Sequence, residues 1–147
     1  MVRDLSCFYD TKQQRVDCVI QLGSDVCGYP RVLHGGLTAA IFDESFGFLF
    51  FALKKQRALP FWGPAYTAHL EVNYKAKIQA GRLLLCTTEV ESIDGRKVWM
   101  KAVMRDGPNG KVYATARALF VAPRPQKLVQ DGYKYVMSGI GLAKSLE

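Results

Sequence analysis

Residues 16–21 alternate, with Val16, Cys18 and Ile20 on one side and Asp17, Val19 and Gln21 on the other. A period of two marks a half-buried strand. Residues 5–22 therefore read as two short strands, turned by the polar stretch Asp10-Thr11-Lys12-Gln13-Gln14. Residues 23–30 read as loop, punctuated by Gly23, Gly28 and Pro30. The pattern then changes to a long apolar run over residues 37–53, rich in Leu, Ala and Phe. That is too long for an ordinary strand and predicts a helix. The helix is apolar nearly all round, so it is buried on most sides or lies in a membrane. Asp43 and Glu44 near its middle argue against a transmembrane span. A helix enclosed by a sheet satisfies the pattern better. Lys54, Lys55 and Arg57 end it with charges that suit a helix C-terminus.

Beyond Pro60 and Pro64 the period returns to two. Strands are predicted over residues 66–74, 82–92, 98–104 and 112–121, joined by Gln79-Ala80-Gly81, Asp94-Gly95 and Gly107-Pro108-Asn109-Gly110. Asp-Gly and Asn-Gly are strong hairpin signals, so these four strands read as an antiparallel meander. Two strands, one long helix and four strands make an α+β domain, a curved sheet around one helix. The domain is expected over residues 1–123. Residues 124–147 read as a tail, with some helix around residues 133–142.

With 147 residues, 49% of them apolar and 22% charged, the chain suits one compact domain rather than a disordered one. The formal net charge of +7 suits a polyanionic ligand, such as a nucleic acid, an acidic membrane surface or a small phosphorylated molecule like coenzyme A. The Lys and Arg residues are scattered, with no basic stripe or nucleic-acid reading motif. Cys7, Cys18, Cys27 and Cys86 match no zinc or CxxC spacing. They are expected to be reduced, mostly buried thiols of a cytosolic protein, a mitochondrial one not being excluded. The start shows no secretory signal and the end no peroxisomal address.

Asp43 is the anomaly, because a carboxylate in an apolar helix costs free energy to bury unless it is partnered. Glu44, about 100° further round, is the better candidate for solvent. Ahead of the helix lies His34-Gly35-Gly36. Amides at a helix start point at any anion on the axis, and glycine lets a ligand come close. A developing oxyanion suits that place. Asp43 lies eight residues beyond Gly35, about 12 Å along a helix. One helix therefore cannot bring both to a single carbonyl carbon. If both act, Asp43 meets the glycines of a second subunit, and the protein is a homodimer or a dimer of dimers with crossing helices.

The stretch His34-Gly-Gly-Leu-Thr-Ala-Ala-Ile-Phe-Asp43 resembles the HGG-x6-D signature of phenylacetate-type hotdog thioesterases. It is also similar to the mammalian thioesterase-superfamily members that act on fatty acyl-CoA. Thr67-Ala-His-Leu-Glu-Val-Asn-Tyr-Lys75 resembles their strand after the helix, and Glu91-Ser-Ile-Asp-Gly-Arg-Lys97 their hairpin. The resemblance implies a hotdog fold, an antiparallel sheet of about six strands wrapped around the central helix.

It also implies roles. Asp43 would be nucleophile or general base, and Gly35 with Gly36 the oxyanion hole. His34 would place the thioester, and Thr67 would orient water or Asp43. Asn73, Lys75, Arg96, Lys97 and Lys101 fall where the relatives contact coenzyme A, whose phosphates call for cations. His69 stands where they have Asn and carries no assigned role. The implied reaction is acyl-CoA plus water giving free acid and CoA, with no metal or cofactor and medium or long fatty acyl chains. Two rivals are a hotdog enoyl-CoA hydratase, against which no His follows Asp43 at the Asp-x4-His spacing, and a non-catalytic acyl-CoA-binding protein.

Overall fold

The computed structural model describes residues 2–25 and 27–124, with residues 27–29 described by their backbone alone. The expected tail lies outside these residues, apart from Arg124. Strands β1 (Val2–Asp10) and β2 (Arg15–Leu22) form the first hairpin, and a ribbon of β3 (Cys27–Tyr29) and β4 (Val32–Leu33) follows. Helix α1 spans Gly35–Lys55, and β5 (Tyr66–Tyr74), β6 (Leu83–Asp94), β7 (Lys97–Arg105) and β8 (Val112–Val121) complete the order. One six-stranded antiparallel sheet runs β1-β2-β6-β7-β8-β5.

The alternation seen in the sequence is the inside-outside alternation of this sheet. Val16, Cys18, Ile20 and Leu22 of β2, Leu84 and Cys86 of β6, Val98, Met100 and Met104 of β7, and Ala114, Ala116, Ala118 and Phe120 of β8 are all buried. Across this face lies α1, burying Ile41, Phe42, Phe46, Leu49, Phe50 and Leu53. The bulk sits on the helix, while β8 contributes a run of alanines beneath it. Phe50 packs its ring 5.7 Å from Phe120 and 6.0 Å from Phe61.

Three expectations need correction. The four late strands do not form one meander, because β5 pairs with β8 and only β6-β7-β8 follow in order. The β5–β6 connection is no tight turn. Its backbone is tied to the early ribbon, with Leu33 N–H donating to Ile78 O at 2.8 Å and Ala80 N–H to Arg31 O at 2.9 Å. The genuine turns are where the glycines were read. Gly95 has φ 55° in the β6–β7 hairpin, and a Cβ on Gly110 would overlap the Asp106 carbonyl.

The second correction concerns the helix. The sheet covers only one side of α1, leaving Phe48 40% and Phe51 59% exposed beside the exposed Gly36, Ala40 and Glu44. By length and apolarity α1 is sufficient to cross a membrane, yet one whole side of it is spent on the sheet. Periodicity reports apolar surface without saying what covers it.

The third correction concerns the thiols. Cys7 and Cys18 are register partners on β1 and β2, with Cα atoms 4.1 Å apart, and are joined in a disulfide. Only strand register brings them together, and spacing in the sequence carries no trace of it. Cys86 is a free thiol, and burial pushes its pKa up to about 11.

Two outcomes follow from this packing. Phe46, with no exposed surface, should cost about 3–5 kcal/mol of unfolding free energy when changed to Ala, measured by urea denaturation. With its pKa near 11, Cys86 is about one part in a thousand thiolate at pH 8. Iodoacetamide should leave it unlabelled in the native protein at pH 8 and label it in urea, as read by peptide mass spectrometry. Above pH 9 the thiol also deprotonates more readily in the unfolded chain, so its contribution to stability is lost as pH rises towards 11.

Candidate active site at the start and middle of the central helix

Asp43 lies half-buried on α1, with Glu44 beside it exposed. Its Oδ1 accepts a hydrogen bond of 2.9 Å from Thr67 Oγ1 on β5. A bulge in β5 makes the meeting possible. Thr67 pairs with Phe120 and His69 with Leu119, leaving Ala68 as the extra residue. Thr67 thereby faces the helix together with Leu70 and Val72, while His69 is turned to the outer face. There His69 lies 6.1 Å from the Trp99 ring and 3.8 Å from Glu71. Arg117 stacks 4.0 Å over the same Trp99 and donates to Glu91 at 2.6 and 2.8 Å, which raises the Arg117 pKa.

The helix begins on His34, whose extended backbone (φ −65°, ψ 132°) makes it the N-cap. Its Nδ1 accepts the Gly36 N–H at 2.9 Å, so the neutral ring carries its proton on Nε2. A Cβ on Gly36 would lie 2.9 Å from that Nδ1, which explains the second glycine. The His34 carbonyl accepts from Leu37 and Thr38 at 3.0 and 3.2 Å. Among the described residues, the Gly35 N–H is the amide of this first turn with no protein acceptor. Tyr74 Oη donates to the Gly35 carbonyl at 2.7 Å, fixing the helix start to the end of β5. Tyr74 lies inside the Thr67–Lys75 motif, and the motif by itself gives it no role. Only the fold shows that the far end of β5 meets the first residue of α1.

Beside Gly35 opens a cleft of about 340 Å³ whose lining includes Leu33, Thr38, Tyr74, Lys75 and Lys77. Two cations thus stand beside the free amide. The other residues expected to contact coenzyme A are spread out. Asn73 donates to Glu71 at 3.3 Å, and Lys101 lies 3.8 Å from Glu89, both on the outer face of the sheet. Arg96 donates to the Ala122 carbonyl at 2.7 Å and borders a second cleft with Tyr66 and Ala68. Lys97 is exposed at the start of β7, opposite Asp94. Within one chain the fold therefore unites Asp43 with Thr67, His34 with Gly36, and Gly35 with Lys75. It does not unite Asp43 with the glycines, which remain eight residues apart on one helix.

A helix laid on six antiparallel strands, carrying a carboxylate at mid-length and a free amide at its start, defines a hotdog-fold protein. The model of the thioesterase superfamily matches residues 31–113. The chain belongs to that superfamily. It is 32% identical over 114 residues to acyl-coenzyme A thioesterase THEM4 of Xenopus laevis, covering 78% of this chain and 48% of that protein. The chain thus spans about half the length of the curated relatives it matches. A solved hypothetical thioesterase with coenzyme A from Streptococcus pneumoniae superimposes with TM-score 0.68 at 15% identity, over 81% of this chain and 88% of that one. A Streptococcus mutans protein, smu.793, solved bound to acetyl CoA, gives 0.69 at 13% identity, over 82% and 90%. At such identities these two likenesses bear on the fold alone.

Tyr74→Phe should keep a native far-UV circular dichroism spectrum and lower the unfolding free energy by about 0.5–1.5 kcal/mol in chemical denaturation, the usual worth of one such hydrogen bond.

Proposed function

We propose that this protein hydrolyses acyl-CoA thioesters to the free acid and CoA, in two composite sites shared by a pair of subunits. The observation that carries this reading is the separation of Asp43 from the free Gly35 amide on one helix, with both residues half-buried beside the helix side that the sheet leaves uncovered. A second copy supplies the missing half of each site. The face available for it is the uncovered side of α1, with Gly36, Ala40, Phe48 and Phe51, together with the unpaired edge of β5, where Tyr66 and Tyr74 are 63% and 56% exposed. A long, uncharged-ended edge strand beside an apolar helix face is what pairing of copies covers. The relatives named as acyl-CoA thioesterases and the structures holding coenzyme A or acetyl CoA support the substrate class.

In this reading the Gly35 N–H of one subunit faces the thioester oxygen and stabilises the charge that grows on it. Gly36 contributes indirectly, because its amide already serves the His34 cap. Asp43 of the other subunit either removes a proton from the water that attacks the carbonyl carbon, or attacks that carbon itself and forms a mixed anhydride that water then hydrolyses to the free acid and the regenerated carboxylate. Thr67 holds the carboxylate through Oδ1, leaving Oδ2 for the reaction. The C–S bond breaks and CoA leaves as a thiolate. Its phosphates are drawn by Lys75 and Lys77 beside Gly35.

Asp43→Asn should lower kcat by well over tenfold, more than about 1.4 kcal/mol of barrier, with the fold intact. A smaller loss removes Asp43 from the chemistry. Gly35→Pro deletes the amide proton, and the Cβ it adds falls 3.4 Å from Tyr74 Oη, close to ordinary contact. Proline suits the first helical position, and His34 already has the extended backbone that proline asks of its predecessor. Its kcat should fall about 10²–10³-fold. When these two inactive variants are unfolded and refolded together, heterodimers with one intact site should restore about a quarter of wild-type activity. No restoration would mean that each site lies within one subunit. Lys75→Ala should raise KM for CoA esters more than it lowers kcat.

A further inference from the structure

The far end of α1 carries features that the site leaves unused. The helix closes on Arg57, whose backbone is left-handed at φ 57°. Arg57 N–H donates to the Lys54 carbonyl at 3.0 Å, and Ala58 N–H donates to the Leu53 carbonyl at 2.9 Å. These bonds turn the chain back across the helix end. Pro60 and Pro64 then limit the freedom of the loop that leads to β5. Between them stands Trp62, 84% exposed, more than any other large hydrophobic side chain among the described residues. Lys54, Arg57, Leu59, Phe61 and Trp62 line one cleft of about 270 Å³. Phe61 anchors the loop, its ring 6.0 Å from that of Phe50, and Lys54 Nζ lies 5.8 Å over the same Phe50 ring. Lys55, next in the chain, is exposed. Among the described residues, none of Lys54, Lys55 and Arg57 forms an ion pair with an acid.

We propose that this patch, Trp62 with Lys54, Lys55 and Arg57, docks the protein on the surface of an anionic lipid bilayer. This stands apart from the thioester reading. Tryptophan is highly buried on average, so a ring held out into water is costly surface. Its apolar body and N–H donor suit the boundary where hydrocarbon meets headgroups. At that boundary negative charge and hydrocarbon lie within one side chain's reach. The ring enters it while the lysine and arginine heads stay among the phosphates. Leu59 and Phe61 continue the apolar surface behind the ring. The formal net charge of +7 supplies attraction at longer range. An acidic protein surface would match the cations but offer the ring no hydrocarbon. A second copy placed patch against patch would set like charges together. Phe51, on the helix side given to a second copy, is not needed for the docking.

The test is co-sedimentation of the full chain with vesicles of phosphatidylcholine alone and of an equal mixture with phosphatidylserine. Binding is expected to the mixture only, and should weaken as salt is raised. Lys54→Gln, Lys55→Gln and Arg57→Asn combined should weaken it about a hundredfold, at about fivefold per cation. Trp62→Ser should weaken it at least about tenfold, because burying even half of an aromatic side chain is worth that much. Both variants should keep the native far-UV circular dichroism spectrum. In Trp99→Phe, where Trp62 is the remaining tryptophan, emission should shift to the blue with the mixed vesicles and be quenched by brominated lipid. Binding to neither vesicle, equal binding to both, binding undiminished in either variant, or unshifted Trp62 emission would overturn the proposal. A blue shift on raising protein concentration without lipid would mark a contact between copies and overturn it as well. So would polyglutamate that binds as tightly as the mixed vesicles, since an acidic protein would then be the occupant.

Discussion

The hydrogen bond from Thr67 to Asp43 joins two parts of the chain that have little other reason to meet at that point. Asp43 follows the buried Ile41 and Phe42 along α1, and a carboxylate drawn into that packing without a partner would be costly. Its neighbours on the helix are committed to the sheet, so its own side falls at the margin, half-buried and facing the β5 edge. The bulge at Ala68 then presents a hydroxyl to it. Removing that extra residue would turn every side chain before it to the other face, sending Thr67 outward. One irregularity in one edge strand thus aims the carboxylate.

A second constraint acts at the other end of β5. Tyr74 holds the Gly35 carbonyl, His34 takes the Gly36 amide, and its carbonyl takes the next two. Hydrogen bonding is thereby used up around one amide that stays free. The helix dipole adds partial positive charge at the same place. This is a modest arrangement energetically, yet it is rigid, because β5 touches both the start of α1 and its middle. Oxyanion stabilisation depends on donors that need not move when charge appears. The same strand leaves its outer edge unpaired, so the element that organises the site also borders the face on which a second copy would supply its other half.

Much of the architecture was legible from pattern. The two-residue period of Val16, Cys18 and Ile20, the length of the apolar run after Gly36 and the glycine-bearing turns are local properties, and local propensity and burial agreed there. Asp43, Thr67 and the His-Gly-Gly start were identifiable because their residue types conflict with, or exceed, what packing alone needs. Strand order, the Cys7–Cys18 link, the outward turn of His69, the scattering of Asn73, Arg96, Lys97 and Lys101, and the role of Tyr74 came only from the tertiary structure. The reason is physical. Hydrophobic period says that a face is buried but not against what, and register between distant strands is decided by the packing of the whole sheet on the helix rather than by any segment of the chain.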